Sequence, residues 1–172
     1  MKSYVNNKYP KAFAIYKLST IRFANYKPST IALYNQKREV LLKEISLVAV
    51  SFQTGDILAV GNEAREKQSI LENEGAIIGS PLKNGLVAEF GISGVLFWHF
   101  FKKVQVRRFP RPEIAVCVPV EMTQVEKHVL NELMRYLGIK NTLIVEQSYE
   151  KAAQSIMDKY KIIIEIMPEL EF

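Results

Sequence analysis

Few residues in this chain have side chains and neighbours suited to chemistry. His99 and His128 each fall in a predicted helix. Neither belongs to a cluster of cysteines, histidines and acids, and a metal centre needs several such donors converging. No metal site is expected. Cys117 stands inside the apolar run Ile114-Ala115-Val116-Cys117-Val118. That is the place of a core residue, because a nucleophilic thiolate needs access and a polar environment. Lys27-Pro28-Ser29-Thr30 offers a cation and two hydroxyls to a phosphate, but the same residues make an ordinary hairpin turn, which is the preferred reading. The densest basic cluster is Lys102, Lys103, Arg107, Arg108 and Arg111, at the end of one predicted helix and its exit loop. Cations there complement the negative end of the helix dipole. No aromatic side chains are interleaved with them on a stacking sheet, as a nucleic-acid platform would require, so no nucleic-acid partner is expected.

The elements that position these residues follow from composition and periodicity. The 172 residues, 48% hydrophobic and 24% charged, suffice for one well-buried core. No run reaches the roughly 18 apolar residues of a membrane-spanning helix. Met1 to Pro10 is polar and lacks the apolar core of a secretory signal. The single cysteine forms no internal disulfide, which fits a cytoplasmic home. The net charge of +5 and pI near 9.2 are assigned to solvated surface cations.

The first third alternates in short apolar runs: Thr20-Ile21-Arg22-Phe23, Thr30 to Tyr34, Val40-Leu41-Leu42 and Ile45 to Val50. Lys27-Pro28-Ser29 and Asn35 to Arg38 separate them, which predicts a β-meander. Ile57 to Val60 adds a strand, Asn62 to Leu71 a polar helix, and Gly75 to Phe90 two more strands around Pro81 and the turn pair Asn84-Gly85. From Ile92 the period becomes helical, with Ile92, Leu96, Phe100 and Val104 on one face. Ile114 to Val118 is a buried strand. Thr123 and Glu126 make a capping box opening a helix that Gly138 ends. Thr142 to Val145, Tyr149 to Lys159 and Lys161 to Met167 follow as buried strand, helix and last strand. Antiparallel strands first, then crossovers adding parallel ones, predict an α/β, ribonuclease-H-like fold: a mixed five-stranded sheet flanked by helices.

Several segments resemble, in order, the MreB family of bacterial actin-like, rod-shape-determining proteins. Gly55-Asp56-Ile57-Leu58-Ala59-Val60-Gly61-Asn62-Glu63-Ala64 is similar to that family's V-L-A-V-G-E-E-A stretch, and Pro81 to Phe90 to its P-M-K-D-G-V-I-A-D-F. Phe101-Lys102-Lys103-Val104, then Arg111 to Pro119, continue it. Thr123 with Val125-Glu126-Lys127 resembles its T-x-V-E-K, and Leu143-Ile144 followed by Glu146 its L-I-E-E-P. The likeness runs from about residue 19 to 153. It implies one actin-like ATPase domain over 1–172, with residues 19–50 and 91–172 as the larger subdomain, 51–90 as a small inserted α+β subdomain, and 1–18 as an N-terminal extension.

The departures from that pattern bear on function. The family's first phosphate loop reads D-x-G-T, the Asp helping to hold magnesium and the glycine letting backbone N–H groups cradle phosphate. Here the stretch is Arg22-Phe23-Ala24-Asn25-Tyr26-Lys27-Pro28-Ser29. Arg22 replaces the acid, Ala24 and Asn25 follow without a glycine, and Pro28 removes a donor before Ser29. Where the family's second loop, D-x-G-G-G-T, is due, the chain gives Lys161 to Met167, and no glycine follows Gly138. Of the E-E-P motif, whose acid activates water, Glu146 survives as a vestige beside Val145 and Gln147. The expectation is a pseudo-ATPase without a bound cofactor.

What remains is a scaffold with a surface. The helix over 92–104 carries Val95 and Trp98 opposite its buried stripe, with His99 and Lys102 beside them. Either the N-terminal extension covers that face or a partner does. The resemblance implies that this helix lies where paired filaments meet, so Val95, Trp98, His99 and Lys102 are the candidate interface and a homo-oligomer or an actin-like filament protein the expected partner. The resemblance also implies the inner face of the cell membrane as a location. The N-terminal Lys and Tyr residues lack a convincing amphipathic pattern, so membrane contact is not the preferred reading. Two alternatives stay open: a ribonuclease-H-like nuclease, against which Arg22 stands where a first-strand acid is needed, and half of a split ATPase completed by another chain, against which the degenerate first loop argues.

Overall fold

The alternation in the first third of the chain does build strands. In this computed structural model, which describes residues 26–106, 112–156 and 159–169, Thr30–Asn35 (β1) and Val40–Ile45 (β2) form an antiparallel hairpin. Its turn is held by Asn35, whose Oδ1 accepts the N–H groups of Lys37 (2.9 Å) and Glu39 (3.0 Å). Val48–Ser51 (β3) then enters a second antiparallel sheet, between Ile57–Val60 (β4) and Ala76–Gly79 (β5). The run from Ile45 to Val50, read from sequence as one strand, is therefore split between two sheets. The break falls at Ser46-Leu47, where the Ser46 N–H donates to the Ser29 carbonyl (2.8 Å).

The polar helix expected over Asn62 to Leu71 is two short ones, Asn62–Glu66 (α1) and Gln68–Asn73 (α2). Lys67 parts them because its φ of -98° and ψ of 12° leave the helical region. Leu82–Lys83 (β6) and Leu86–Val87 (β7) close about Asn84 and Gly85, both at positive φ (53° and 81°), the geometry that an Asn-Gly pair suits. Phe90–Lys103 (α3) is followed by Glu113–Cys117 (β8) and Gln124–Tyr136 (α4). The capping box at the start of α4 is present: the Thr123 N–H donates to Glu126 Oε2 (2.7 Å) and the Glu126 N–H to Thr123 Oγ1 (3.2 Å). Asn141–Val145 (β9), Tyr149–Ile156 (α5) and Ile162–Met167 (β10) complete the described elements.

The larger sheet has the order β2-β1-β10-β8-β9, mixed and five-stranded as expected. The place of its last strand is not the one the sequence suggests. β10 sits in the middle, antiparallel to β1 (Leu33 opposite Ile164) and parallel to β8 (Ile164 opposite Val116). Composition explains this afterwards: Ile163, Ile164 and Ile166 are fully buried, and only an interior strand has both faces covered. β9 is instead an edge strand, with Leu143 38% exposed. The strand expected over residues 20–23 and the extension 1–18 lie outside the described residues.

Period-2 alternation sorts the sheet into two faces. Ile31, Leu33, Ile114, Val116, Ile164 and Ile166 meet α3 and α4 in the main core, while Ala115, Cys117 and Ile163 meet Ala152 and Ala153 of α5. Each of Phe97 and Phe100, fully buried in the main core, stabilises it by roughly 1.5–3 kcal/mol relative to exposure. The connections thus lie on opposite faces, β8 to β9 through α4 and β9 back past β8 to β10 through α5. One face of the small sheet packs with α1 and α2 around Ala49, Ala59, Ala64 and Ile78, while Val48, Val50, Ile57 and Val60 on its other face join the main core. The small sheet's limits are the joints at Ser46 and Ser80. The β6–β7 hairpin, grouped with it from sequence, packs on the larger unit.

Candidate functional site

In an open sheet with parallel strands, ligands enter the crevice beyond the carboxyl ends of the strands where the connections change direction. Here that point lies beside the ends of β8 and β10. The β6–β7 turn sits over it. A β-carbon on Gly85 would lie 2.9 Å from Pro168 Cγ, 3.4 Å from Val118 Cγ1 and 3.6 Å from Ile166 Cγ2. Those are contacts of a closed, apolar joint.

The degenerate loop leads into the same end of the sheet. Arg22, Ala24 and Asn25 lie outside the described residues. Pro28 is half-buried, and Ser29 is 1% exposed. The Ser29 N–H, the kind of group that would cradle a phosphate, donates instead to Ser46 Oγ (2.7 Å). Ser46 Oγ lies 2.7 Å from Ser80 Oγ, which donates to the Leu82 carbonyl (2.9 Å) and accepts from the Leu82 N–H (3.1 Å). A hydroxyl has one proton, so Ser46 must be the donor in the serine pair. The chain pins the two segments that pass between its sheets, Ser46 and Ser80, to each other at the mouth of the crevice.

Glu146 follows β9 at this end. Its Oε1 pairs with the Lys127 ammonium of α4, and its Oε2 accepts the Met122 N–H at 3.2 Å. The Lys127 hydrogen bond, then that of Met122, hold the carboxyl below the usual glutamate range. Both oxygens are engaged in tying β9 to the start of α4.

The opposite end of the sheet carries the candidate interface. Val95 is fully buried and His99 6% exposed, so these two of the four residues point into the molecule. Val95 and Trp98 opposite the stripe imply cover on that face too, and at Val95 and His99 the chain supplies it: α3 is enclosed on nearly every side, because β-strand and α4 side chains meet it from more than one direction. Trp98 is half-buried and Lys102 exposed, with the Lys102 ammonium 4.9 Å from the centroid of the Trp98 ring. Together with Phe101, Val106, Pro112, Leu137, Gly138 and Ile139 they line a groove of about 160 Å³.

Two buried acids escaped the sequence reading. Glu165, 7% exposed on the central strand, accepts the Tyr34 hydroxyl (3.1 Å) and the Tyr149 N–H (2.8 Å) at the start of α5. Tyr34 and Tyr149 stack at 3.8 Å over this contact. Burial, then Glu165, pushes Tyr34 up to about 12, and the same two causes push the Cys117 thiol up to about 12. Cys117 is accordingly an inert core thiol. Glu44, also 7% exposed, accepts the Asn62 N–H (3.0 Å) and the Lys103 ammonium (2.7 Å), joining β2 to α1 and α3. A lone acid in an otherwise apolar run was the available signal for Glu165. Nothing local distinguished Glu44 from a surface residue.

The class of fold is that of an actin-like domain. In the crystal structure of MreB5 of Spiroplasma citri bound to ADP, the matched part has a TM-score of 0.61 at 21% identity, over 72% of this chain and 37% of that one. The structure of the same protein bound to AMPPNP matches with a TM-score of 0.61 at 20% identity, over 73% of this chain and 38% of that one. In sequence, the Mbl cell shape-determining protein of Bacillus cereus is 30% identical over 135 residues, 77% of this chain and 40% of the relative. The MreB cell shape-determining protein of Escherichia coli K12 is 31% identical over 121 residues, 67% of this chain and 35% of that protein. The model of the MreB/Mbl protein family matches residues 28–158, and the chain belongs to that family. It spans about two fifths or less of the length of these relatives.

Proposed function

We propose that this chain is a non-catalytic, actin-like assembly module that associates with itself, or with a shape-determining filament, in the cytoplasm. It acts through the retained scaffold and not through turnover of ATP. The observation that carries the reading is the joint of Gly85 with Pro168, Val118 and Ile166, which occupies the crevice where the sheet topology would admit a ligand. Three further features agree with it. Arg22 stands where the resemblance calls for an acid, the Ser29 N–H is engaged by Ser46, and both Glu146 oxygens are held by Lys127 and Met122. A general base must reach a water that it can deprotonate, and a carboxylate so engaged is poorly placed to do so. Trp98 and Lys102, at the far end of the sheet, supply the surface for assembly.

Light scattering over a range of protein concentrations tests the proposal. The expected result is growth in mass with concentration, the same with and without Mg-ATP. Assembly that requires Mg-ATP, or a mass fixed at one chain throughout, contradicts it.

A further inference from the structure

The five-stranded sheet has two edges, β2 and β9, and they are built differently. At β2 the Asn62 side chain takes the place of a neighbouring strand: its Oδ1 accepts the Ile45 N–H (3.1 Å) and its Nδ2 donates to the Lys43 carbonyl (3.4 Å). A bulge at Leu33-Tyr34 and the cation of Lys43 blunt that edge further. At β9 none of these devices is present among the described residues. Asn141-Thr142-Leu143-Ile144-Val145 holds no charge and no proline, and Thr142, Ile144 and Val145 favour strands.

The outer side of β9 is open. The Val118 N–H donates to the Val145 carbonyl at 2.8 Å, so the backbone groups of Val145 face β8. Direction alternates along a strand, and those of Thr142 and Ile144 therefore face outward. Among the described residues nothing pairs with them. Nor does α4 reach over them: between His128, Asn131 and Arg135 on the helix and Asn141 and Thr142 on the strand runs an open polar trough of about 400 Å³. Leu143, on the other face, is exposed because α5 packs on Ala115 and Cys117 and stops short of it.

We propose that β9 pairs antiparallel with β9 of a second copy about a two-fold axis at Leu143, joining the two five-stranded sheets into one. Three features select this register. Thr142 falls opposite Ile144 of the second copy, so the outward residues meet as pairs that exchange both N–H···O=C bonds. Leu143 meets Leu143 of the second copy as the closer, non-hydrogen-bonded pair. Lys140 falls opposite Glu146 of the second copy, which puts opposite charges at each end of the shared ladder. Glu146 already holds Lys127, and its carboxylate has lone pairs for a second cation. Moving the axis by one residue sets Leu143 against Asn141 or Val145 and leaves Lys140 facing no acid. The contact is isologous and closes at two chains. It goes beyond the assembly surface at Trp98, which it does not use.

Leu143→Cys in the full chain tests the axis. Cβ atoms of such a pair lie about 4.5–5.5 Å apart, close to what a disulfide spans, and the buried Cys117 does not compete. Mild oxidation should give a disulfide-linked pair of chains. Asn141→Cys, whose mates would lie about 13 Å apart on the same axis, should stay unlinked. Thr142→Pro removes one outward N–H per copy and leaves the inner ladder intact. It should raise the concentration for half-association about tenfold or more in analytical ultracentrifugation, and Lys140→Glu should raise it a few-fold. Circular dichroism checks that each variant is folded. Equal cross-linking of the two cysteine variants, with Thr142→Pro associating like the wild type, overturns the β9 pairing while the assembly reading stands. A wild-type chain that stays single at every concentration, with no Leu143→Cys cross-link, overturns both.

Discussion

The two ends of the five-stranded sheet have been treated in opposite ways. At the carboxyl ends, hydrogen bonds and close apolar packing meet: Gly85 against Pro168, Ser46 against Ser80, Glu146 between Lys127 and Met122. At the amino ends the chain leaves a groove with a half-buried tryptophan and a cation above it. The tighter joints fall at the end where topology would place a ligand. On the proposed reading, the fold keeps its strand order while hydrogen bonds and apolar packing take the place of a ligand at one end of the sheet.

Glycine substitutions probe the contrast most strongly. Gly85 (φ 81°) and Gly138 (φ 91°) both have left-handed backbones, one at each end. A methyl at Gly85 meets Pro168 at 2.9 Å, whereas nothing lies within 4 Å of one at Gly138. Gly85→Ala should cost about 2–4 kcal/mol, strain and overpacking together, and Gly138→Ala about 1–2 kcal/mol, from backbone strain alone. Urea unfolding measures both. Equal losses would mean that the Gly85 joint is no tighter than a loop.

Alkaline unfolding sharpens the description of the central strand. Tyr34 and Cys117 have folded-state values raised to about 12, above their ordinary 10.0 and 9.0, so the folded state holds these protons longer. Their contribution is fully present below pH 9 and is lost progressively between pH 9 and about 12. Cys117→Ala should flatten the first part of that loss, between pH 9 and 10, in a series of melts, and an unchanged slope would show that burial and Glu165 do not hold the thiol protonated.

The smallest effect is expected at Glu146. Its lowered carboxyl contributes above the ordinary glutamate range and loses that contribution as pH falls through it. In so exposed a pair the contribution is slight. Glu146→Gln should leave the unfolding midpoint at pH 7 almost unmoved, with the small gap to wild type closing in acid. A large drop at pH 7 would give the residue a structural weight that its exposure does not suggest.

Much of this architecture was legible in residue order. Alternating runs marked β1 and β2, short continuous apolar runs marked β4 and β8, and Thr123, Glu126 and Gly138 marked both limits of α4. The central position of β10 was not, because a string of isoleucines says that both faces are buried without saying which two strands flank it. Burial of Val95 and His99 within the chain was open for a different reason: apolar residues opposite the stripe imply cover on that face of α3 without saying whether the chain or a partner supplies it. On the site, the sequence offered the residues that had changed, Arg22, Pro28 and Ser29. The packing of Gly85 on Pro168 joins residues 83 positions apart, a contact no local pattern encodes.

The claim on which the rest depends is that the crevice beside β8 and β10 holds no nucleotide. Isothermal titration of the full chain with Mg-ATP tests it directly. No heat beyond dilution is expected at any temperature tried. A saturable isotherm near one nucleotide per chain, abolished by Gly85→Val, would contradict it.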